Sequence, residues 1–411
     1  MNQAEELTAM PSAASSQPPL RPGRGMSWPA AREQAHEAGR QLSPQWLPLE
    51  TACGRPLRVD LLALTDLPAT DVSAMDGWAV AGPPPWRVVA ELPAGRVLDR
   101  WLAEGECAGI ATGAVVPDGA DAVLPIEHSL RDSARVRGGP EAVLLPGTHI
   151  RRAGEEAHRG DVLLPSGTVV TPPAVGLAAA AGHDALLVTP PATVDVFILG
   201  DEIISNGLPA RGLVRDALGP QLPAWLAAYG TARPSITVLP DRLPDLTAGL
   251  ADSGADLVVT TGGTSVGLRD HVRAAVLSVG GRMIVDGVHV KPGHPMILAA
   301  LPGGRWLVGL PGNPLAACVA LETLVRPLLD VLHGHCQTPT LTARLAGAEP
   351  GRPGDGHRLL PVHRDAAAHA VVLPSCGSAM LRGLSRATGL AVVPPRGAAA
   401  GDEVEYLPLP W

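Results

Sequence analysis

One lysine stands out among the residues that could take part in chemistry. Lys and Arg together number 32, and Lys291 is the only lysine. It lies in the segment VKPGHP, where Pro292 and Pro295 restrict the backbone and would direct Lys291 and His294 into one site. A composition that replaces lysine by arginine elsewhere indicates that this position requires an ammonium group. The segment predicts an anion contact, with an exposed turn as the alternative.

Two glycine-rich turns, each predicted to open a helix, could bind a phosphate or another oxyanion. Free backbone N–H groups and the positive end of the helix dipole favour anions at such turns. Ordinary capping turns are the alternative, although two such turns on one sheet favour the anion. Neither turn contains the GK[ST] of a Walker A loop or a GxGxxG pattern. The candidate residues are Gly262, Gly263, Ser265, Gly267, Pro311, Gly312 and Asn313.

Acidic residues occur close to these turns and at two further places. One acidic segment follows the apolar run 193–199 and consists of Gly200, Asp201 and Glu202. Asp270 follows the first glycine-rich turn, at the predicted start of a helix. Asp76 lies in the tight turn SAMDGWA, and Glu156 ends the segment RRAGEE. Taken singly, these last two segments are typical of surface loops.

The order of predicted elements indicates how these residues are positioned. Strands alternate with helices over residues 192–335, which predicts a mostly parallel sheet with crossover helices. Ligands of such sheets bind beyond the carboxyl ends of the strands, where residues 200–202 and both glycine-rich turns are expected to converge. Residues 86–165 are expected to be rich in short strands, and those after 335 to form a small β-barrel or sandwich.

Composition and charge exclude several classes of protein. The length of 411 residues and the 46% hydrophobic content predict two to four domains. The net charge of −8 argues against nonspecific nucleic-acid binding, which requires a basic face. Prolines and glycines interrupt the longest uncharged run, 162–182, so no membrane span is expected. Residues 1–25 lack signal-peptide features and are expected to form a disordered tail, and five Cys without CxxC indicate a reducing compartment.

The motifs together resemble those of a known family. The chain carries, in this order, SAMDGWAV, ATGAVVPDGADAVLPIE, RRAGEE, GDEI, TTGGTSVG followed by Asp270, VKPGHP and GLPGNP. This set resembles the molybdopterin molybdenumtransferase family, of the MoeA and gephyrin E-domain type, over roughly residues 26–411. The resemblance implies an α/β multidomain fold in an elongated homodimer. A MogA-like α/β domain with a mostly parallel sheet would accompany a β-rich inserted domain and a C-terminal β-barrel.

The resemblance also implies domain boundaries. The expected parts are a tail at 1–25, a linking and dimerisation domain at 26–76 and 147–188, an inserted β-rich domain at 77–146, a MogA-like domain at 189–334 and a C-terminal barrel at 335–411.

The implied reaction inserts molybdate, as substrate, into adenylated molybdopterin with Mg²⁺ and releases AMP. The implied catalytic residues are Asp76, Glu156, Asp270 and Lys291, with Asp76 and Asp270 as metal ligands. The implied substrate-binding residues are Gly200, Asp201, Glu202, Gly262, Gly263, Ser265, Gly267, His294, Pro295, Pro311, Gly312, Asn313 and Ser378. A cytoplasmic location, a MogA-like adenylyltransferase and a recipient molybdoenzyme as partners, and no nucleic-acid or membrane partner complete the expectation.

Four positions depart from the family pattern. They are Glu156 in place of Asp, Leu218 in place of Asn, His294 in place of Lys, and Ala316 where a hydroxyl would help hold molybdate. These changes support an alternative: a divergent, non-catalytic paralogue that binds molybdopterin or finished cofactor for delivery to a target enzyme. A different hydrolase built on the MogA-like domain is a third possibility. The retained Asp76, Asp270 and Lys291 favour the enzyme, and both molybdenum and tungsten fit these residues.

Overall fold

The computed structural model describes residues 25–264, 271–352, 354 and 356–411. Two compact units make up this part of the chain. The smaller unit spans Gln41–Pro190, and the larger contains the described residues before and after it. Within these ranges, no helix combines the length and apolar character that a bilayer-spanning segment needs.

A six-stranded sheet forms the centre of the larger unit. Its described strands, in sheet order, are Ser235–Leu239, Val194–Leu199, Leu257–Thr261, Arg305–Leu310, Ile297–Leu301 and Arg282–Asp286. The first four are parallel, and the last two pair antiparallel. All five residues of Leu257–Thr261 are buried, as expected for a central strand covered on both faces. The predicted mostly parallel sheet is therefore confirmed.

Helices of this unit mostly connect the strands of the sheet. The described α-helices are Trp28–Ala38, Leu222–Ala228, Leu243–Asp252, His271–Ser278, Pro314–Ala320 and Arg326–Leu332. Short 3₁₀ turns occur at Pro302–Gly304 and Leu384–Arg386. The sequence predicts one long helix after the PGNP turn, but the π-helical turn Leu321–Val325 divides it. Pro327 explains part of this difference, because proline has no backbone N–H and cannot donate a helical hydrogen bond to the preceding turn.

A second sheet, shaped as a half-barrel, lies mainly in the C-terminal region, where the sequence predicts a β-barrel. Its described strands, in sheet order, are Met26–Ser27, Val288–Lys291, His357–Arg364, Gly389–Val393, Glu403–Pro408 and Leu341–Arg344, with Ala370–Val372 also paired to His357–Arg364. Two short two-stranded sheets pair Glu349–Pro350 with Gly397–Ala398, and Ile203–Ile204 with Val214–Arg215. Two strands of this seven-stranded sheet, Met26–Ser27 and Val288–Lys291, come from outside the C-terminal region. In the register of that sheet, Lys291 lies beside Arg358.

A buried ionic group connects the helices of this unit. Glu322 is fully buried in the π-helical turn. The Tyr229 hydroxyl donates to its Oε1 (2.7 Å), and Arg326 Nη1 donates to its Oε2 (3.1 Å). Arg32, from helix Trp28–Ala38, donates to the Glu322 carbonyl. Burial raises the pKa of the Glu322 carboxyl, although Arg326 and the Tyr229 hydrogen bond oppose this rise.

The smaller unit is rich in β-structure, as predicted for its central part. The strands of its six-stranded sheet, among the residues described, are Ala122–Pro125, Gly77–Val80, Glu106–Ile110, Trp86–Leu92, Arg135–Gly138 and Ser129–Asp132. Three two-stranded sheets pair Ile150–Arg151 with Val72–Ser73, Val162–Leu164 with Leu61–Leu62, and Ala185–Val188 with Gln45–Pro48. Its described helices are Leu49–Ala52, Ile126–His128 and Pro172–Ala180.

Candidate functional site

Three loops meet at the carboxyl edge of the parallel strands. The Gly262 N–H donates to the Leu310 carbonyl (2.9 Å), and a β-carbon at Gly262 would lie 3.3 Å from the Leu199 carbonyl oxygen. A β-carbon at Gly312 would lie 3.7 Å from the Gly262 Cα. Gly262 and Gly263 have φ angles of +80° and +66°, which disfavour other residues. The loops that follow the three neighbouring strands therefore converge, as the sequence predicts.

The acidic segment after Val194–Leu199 forms the outer part of this edge. Gly200 has a φ of +137°, so the chain turns sharply where the strand ends. Asp201 Oδ1 accepts the Asp241 N–H (3.2 Å), and the Glu202 carbonyl accepts the Val214 N–H (2.8 Å). The turn therefore places both carboxyl-bearing residues directly after the strand.

Leu218, which departs from the family pattern, contributes to the core. It is buried, and its N–H donates to Asp216 Oδ1 (2.9 Å), as does the N–H of Gly219. The Asp216 carboxylate therefore caps a turn, and Leu218 fills apolar space instead of presenting an amide.

A cavity of about 600 Å³ adjoins the carboxyl edge of the sheet. Pro311, Gly312 and Asn313 belong both to the converging loops and to the cavity lining, so the two regions are continuous. Among the described residues, the cationic side chains of Lys291, Arg352 and Arg358 line the cavity. Among the described lining residues there is no Asp or Glu. The arrangement suits an anion beside the glycine-rich edge.

The turn that carries Lys291 presents His294 in one orientation. The Val288 N–H donates to the His294 carbonyl (2.9 Å), and Gly293 has a φ of +112°. His294 Nδ1 lies 2.8 Å from the Val288 carbonyl oxygen. Because a carbonyl oxygen only accepts, Nδ1 carries the hydrogen of this bond, and Nε2 is the remaining ring nitrogen. Both Lys291 and His294 are exposed, and both line the cavity.

The start of helix Pro314–Ala320 is connected to the loop that carries Ser378. The N–H groups of Leu315 and Ala316 donate to the Ser378 carbonyl (2.9 and 3.2 Å). Asn313 Nδ2 lies 3.4 Å from Ser378 Oγ. The expectation of free N–H donors at this turn is therefore not met at Leu315 and Ala316, and Pro314 has no N–H. The predicted residues Asn313 and Ser378 do lie together.

Arg358 and Arg352 are lining residues that sequence reasoning did not select. Arg358 lies at the start of a buried strand, where Nη1 is 3.1 Å from Glu349 Oε2 and Nη2 donates to the Pro350 carbonyl (2.8 Å). The sequence signal for Arg358 was an arginine at the start of an apolar strand. A buried charge there requires a partner, which suggests a functional or structural role. Nothing in the local pattern distinguishes Arg352 from other surface arginines.

The remaining predicted residues lie elsewhere in the chain. Asp76 belongs to the smaller unit, where its Oδ1 accepts the Thr112 N–H (2.6 Å) and hydroxyl (2.9 Å). The backbone hydrogen bond from Thr112, followed by that of its hydroxyl, lowers the pKa of the Asp76 carboxyl. Glu156 is exposed in the same unit. The predicted residues Ser265, Gly267 and Asp270 lie outside the described residues.

Metal-binding chemistry is limited in the part of the chain that is described. No group of three or more His, Cys, Asp or Glu side chains there could hold a metal ion. Mg²⁺ usually binds one or two carboxylates together with substrate phosphates and water. The ionised Asp76 carboxylate fits the role of one such ligand.

Comparisons with known proteins assign the chain to a family. Family models match residues 26–182 ("MoeA N-terminal region (domain I and II)"), 195–331 ("Probable molybdopterin binding domain") and 343–409 ("MoeA C-terminal region (domain IV)"). Molybdopterin molybdenumtransferase 2 of Mycobacterium tuberculosis is 35% identical over 321 residues, which cover 72% of this chain and 77% of the relative. The chain belongs to the molybdopterin molybdenumtransferase family. Its predicted family membership is thus confirmed.

Further relatives extend the match to nearly the whole chain. Molybdopterin molybdenumtransferase of Synechococcus elongatus is 33% identical, covering 92% of this chain and 98% of the relative. The crystal structure of the molybdopterin biosynthesis MoeA protein from Pyrococcus horikoshii has a TM-score of 0.73 at 25% identity, covering 94% and 99% of the two chains. These molybdopterin molybdenumtransferase relatives support a role in molybdenum cofactor biosynthesis.

Proposed function

We propose that this chain inserts molybdate into adenylated molybdopterin and releases AMP. The observation that carries the proposal is the cationic cavity that continues into the glycine-rich edge of the parallel sheet. A diphosphate-linked substrate requires a backbone cradle, and a dianionic oxometalate requires fixed positive charge beside it. The two regions provide these features next to each other in one unit.

The residues of the larger unit divide between two tasks in this proposal. Gly262, Gly263 and Gly312 let the backbone approach the phosphates, because a β-carbon there would narrow the edge. Lys291 and Arg358 bind the oxometalate, with the Ser378 hydroxyl as a further donor. Neutralising charge around both anions is the main contribution of these residues.

The acidic residues have a separate role. Asp76, Glu156 and Asp270 are proposed to serve cleavage of the phosphoanhydride, and Asp76 and Asp270 are each proposed as Mg²⁺ ligands. When bound, Mg²⁺ would neutralise charge on the phosphate oxygens. Hydrogen bonds from the Thr112 N–H and hydroxyl lower the pKa of the Asp76 carboxyl further below neutrality.

Assembly and location complete the proposal. We propose a cytoplasmic homodimer that receives adenylated molybdopterin from a MogA-like adenylyltransferase and passes the product to a recipient molybdoenzyme. We retain the domain boundaries expected from the sequence, with residues 26–76 and 147–188 as the dimerisation domain. Light scattering of the purified protein would test the dimer.

One incubation distinguishes the proposal from its alternatives. Purified protein is mixed with adenylated molybdopterin, Mg²⁺ and molybdate, and AMP is measured together with cofactor able to activate a molybdenum-free recipient enzyme. Molybdate-dependent AMP release with active cofactor supports insertion. Tight pterin binding without AMP indicates the delivery protein, and AMP release without active cofactor indicates a hydrolase.

His294→Lys is expected to tighten molybdate binding. His294 lines the cavity in place of the lysine of the family pattern, and an ammonium would add a fixed positive charge with three donors beside the oxyanion. The Kd for molybdate, measured by equilibrium dialysis, should therefore fall in the variant. An unchanged Kd would contradict the expectation.

A further inference from the structure

The cationic side chains of the cavity do not contribute equally to its charge. Arg358 forms an ion pair with Glu349 at 3.1 Å, and its second terminal nitrogen donates to the Pro350 carbonyl. Most of its charge is therefore offset by its own neighbour. In the described residues, the Arg352 guanidinium forms no ion pair with a carboxylate, and it is exposed at the cavity. Arg352 thus adds a charge that no described side chain neutralises.

The backbone that carries Arg352 is held in place. The Arg352 N–H donates to the Pro395 carbonyl (2.9 Å). A β-carbon at Gly351 would lie 2.4 Å from the Arg396 carbonyl oxygen, and one at Gly397 would lie 2.3 Å from the Gly351 nitrogen. The two chain segments therefore approach each other as closely as only glycine allows. This approach fixes where the Arg352 side chain begins.

Two positions of the cavity lack the groups that an oxyanion would use. His294 stands where the family pattern has a lysine, and Ala316 has no side-chain donor. A tetrahedral dianion beside Lys291 and the Glu349-paired Arg358 would keep part of its charge uncompensated. A guanidinium can donate two parallel N–H hydrogen bonds to two oxygens of such a dianion.

We propose that Arg352 binds the oxometalate and provides, beside Lys291, a positive charge that no described carboxylate offsets. Arg352 provides the positive charge that a lysine at position 294 would carry in the family pattern. This inference rests on the proposed function, because it assumes that the cavity holds the oxometalate. Its ligand class is the tetrahedral dianions, with molybdate and tungstate as probes.

Direct binding of molybdate to the purified full-length protein, measured by equilibrium dialysis, tests this proposal. Arg352→Gln should raise the Kd for molybdate about tenfold at pH 8, corresponding to about 1.4 kcal/mol. Affinity for adenylated molybdopterin should stay the same. Arg352→Lys should recover part of the molybdate affinity.

A rescue and a matched control complete the test. The double variant Arg352→Gln, His294→Lys should regain molybdate affinity, since the missing charge returns at a second place in the cavity. Arg344→Gln removes an exposed arginine from strand Leu341–Arg344, outside the cavity lining, and should bind like the wild type. If Arg352→Gln binds molybdate as the wild type does, the role of Arg352 is overturned while the proposed function stands. Absence of binding and of AMP release in the wild type would instead reject the proposed function.

Discussion

Lys291→Ala is expected to reduce molybdate-dependent turnover about a hundredfold while the protein stays folded. The side chain is exposed at the cavity, and its strand pairs with the C-terminal sheet through the backbone, so alanine removes charge without removing the strand. One charge pair at about 4 Å and an effective dielectric constant of about 20 is worth at most about 4 kcal/mol, and less after solvent screening. Steady-state AMP release with varied molybdate measures the loss.

Two further variants make this result specific. Lys291→Arg keeps the charge and should retain more activity than alanine does. Arg344→Ala removes a positive charge outside the cavity lining and should have wild-type kinetics. Circular dichroism should show the same fold for all three. Wild-type turnover by Lys291→Ala would contradict the assignment.

Glu322→Ala is expected to lower the free energy of unfolding by about 3–5 kcal/mol, the usual cost of breaking a buried ion pair. The substitution leaves Arg326 without its carboxylate partner and removes the acceptor of the Tyr229 hydroxyl. It also opens a void in a turn where every residue is buried. Urea unfolding followed by tryptophan fluorescence measures the change.

The control for this variant is Glu33→Ala, which makes the same chemical change at an exposed position of helix Trp28–Ala38. Its effect should stay within about 0.5 kcal/mol. Glu322→Gln keeps an oxygen for Tyr229 and should fall between the two. Equal stability of Glu322→Ala and Glu33→Ala would show that the buried group contributes little.

The sequence predicted the elements whose signals are local. The apolar run 193–199 and the following glycine indicated both the strand Val194–Leu199 and the turn at its carboxyl end. Parallel pairing then follows from the alternation with helices, because a crossover connection places successive strands in parallel. The convergence of the loops around Gly262 and Gly312 was predictable for this reason.

Long-range pairing was not visible in the sequence. The sequence placed Lys291 in a turn, whereas Lys291 ends the strand Val288–Lys291. No local pattern reveals that this strand joins the C-terminal sheet beside His357–Arg364. The contribution of Arg352 to the cavity depends on that pairing and on the close approach of Gly351 and Gly397. The Ser378 carbonyl likewise takes the N–H groups of Leu315 and Ala316 through a contact between distant segments.

The pairing of the strand that carries Lys291 affects how the protein folds during its synthesis. Its neighbour in the sheet, His357–Arg364, leaves the ribosome much later than Val288–Lys291 does. A nascent chain that contains the whole parallel sheet therefore still has an open strand edge and only part of its cationic surface. The same holds for a fragment cut at residue 334, which would expose that edge to other chains. The C-terminal residues are thus not a detachable module, and gene truncations there should yield aggregating protein.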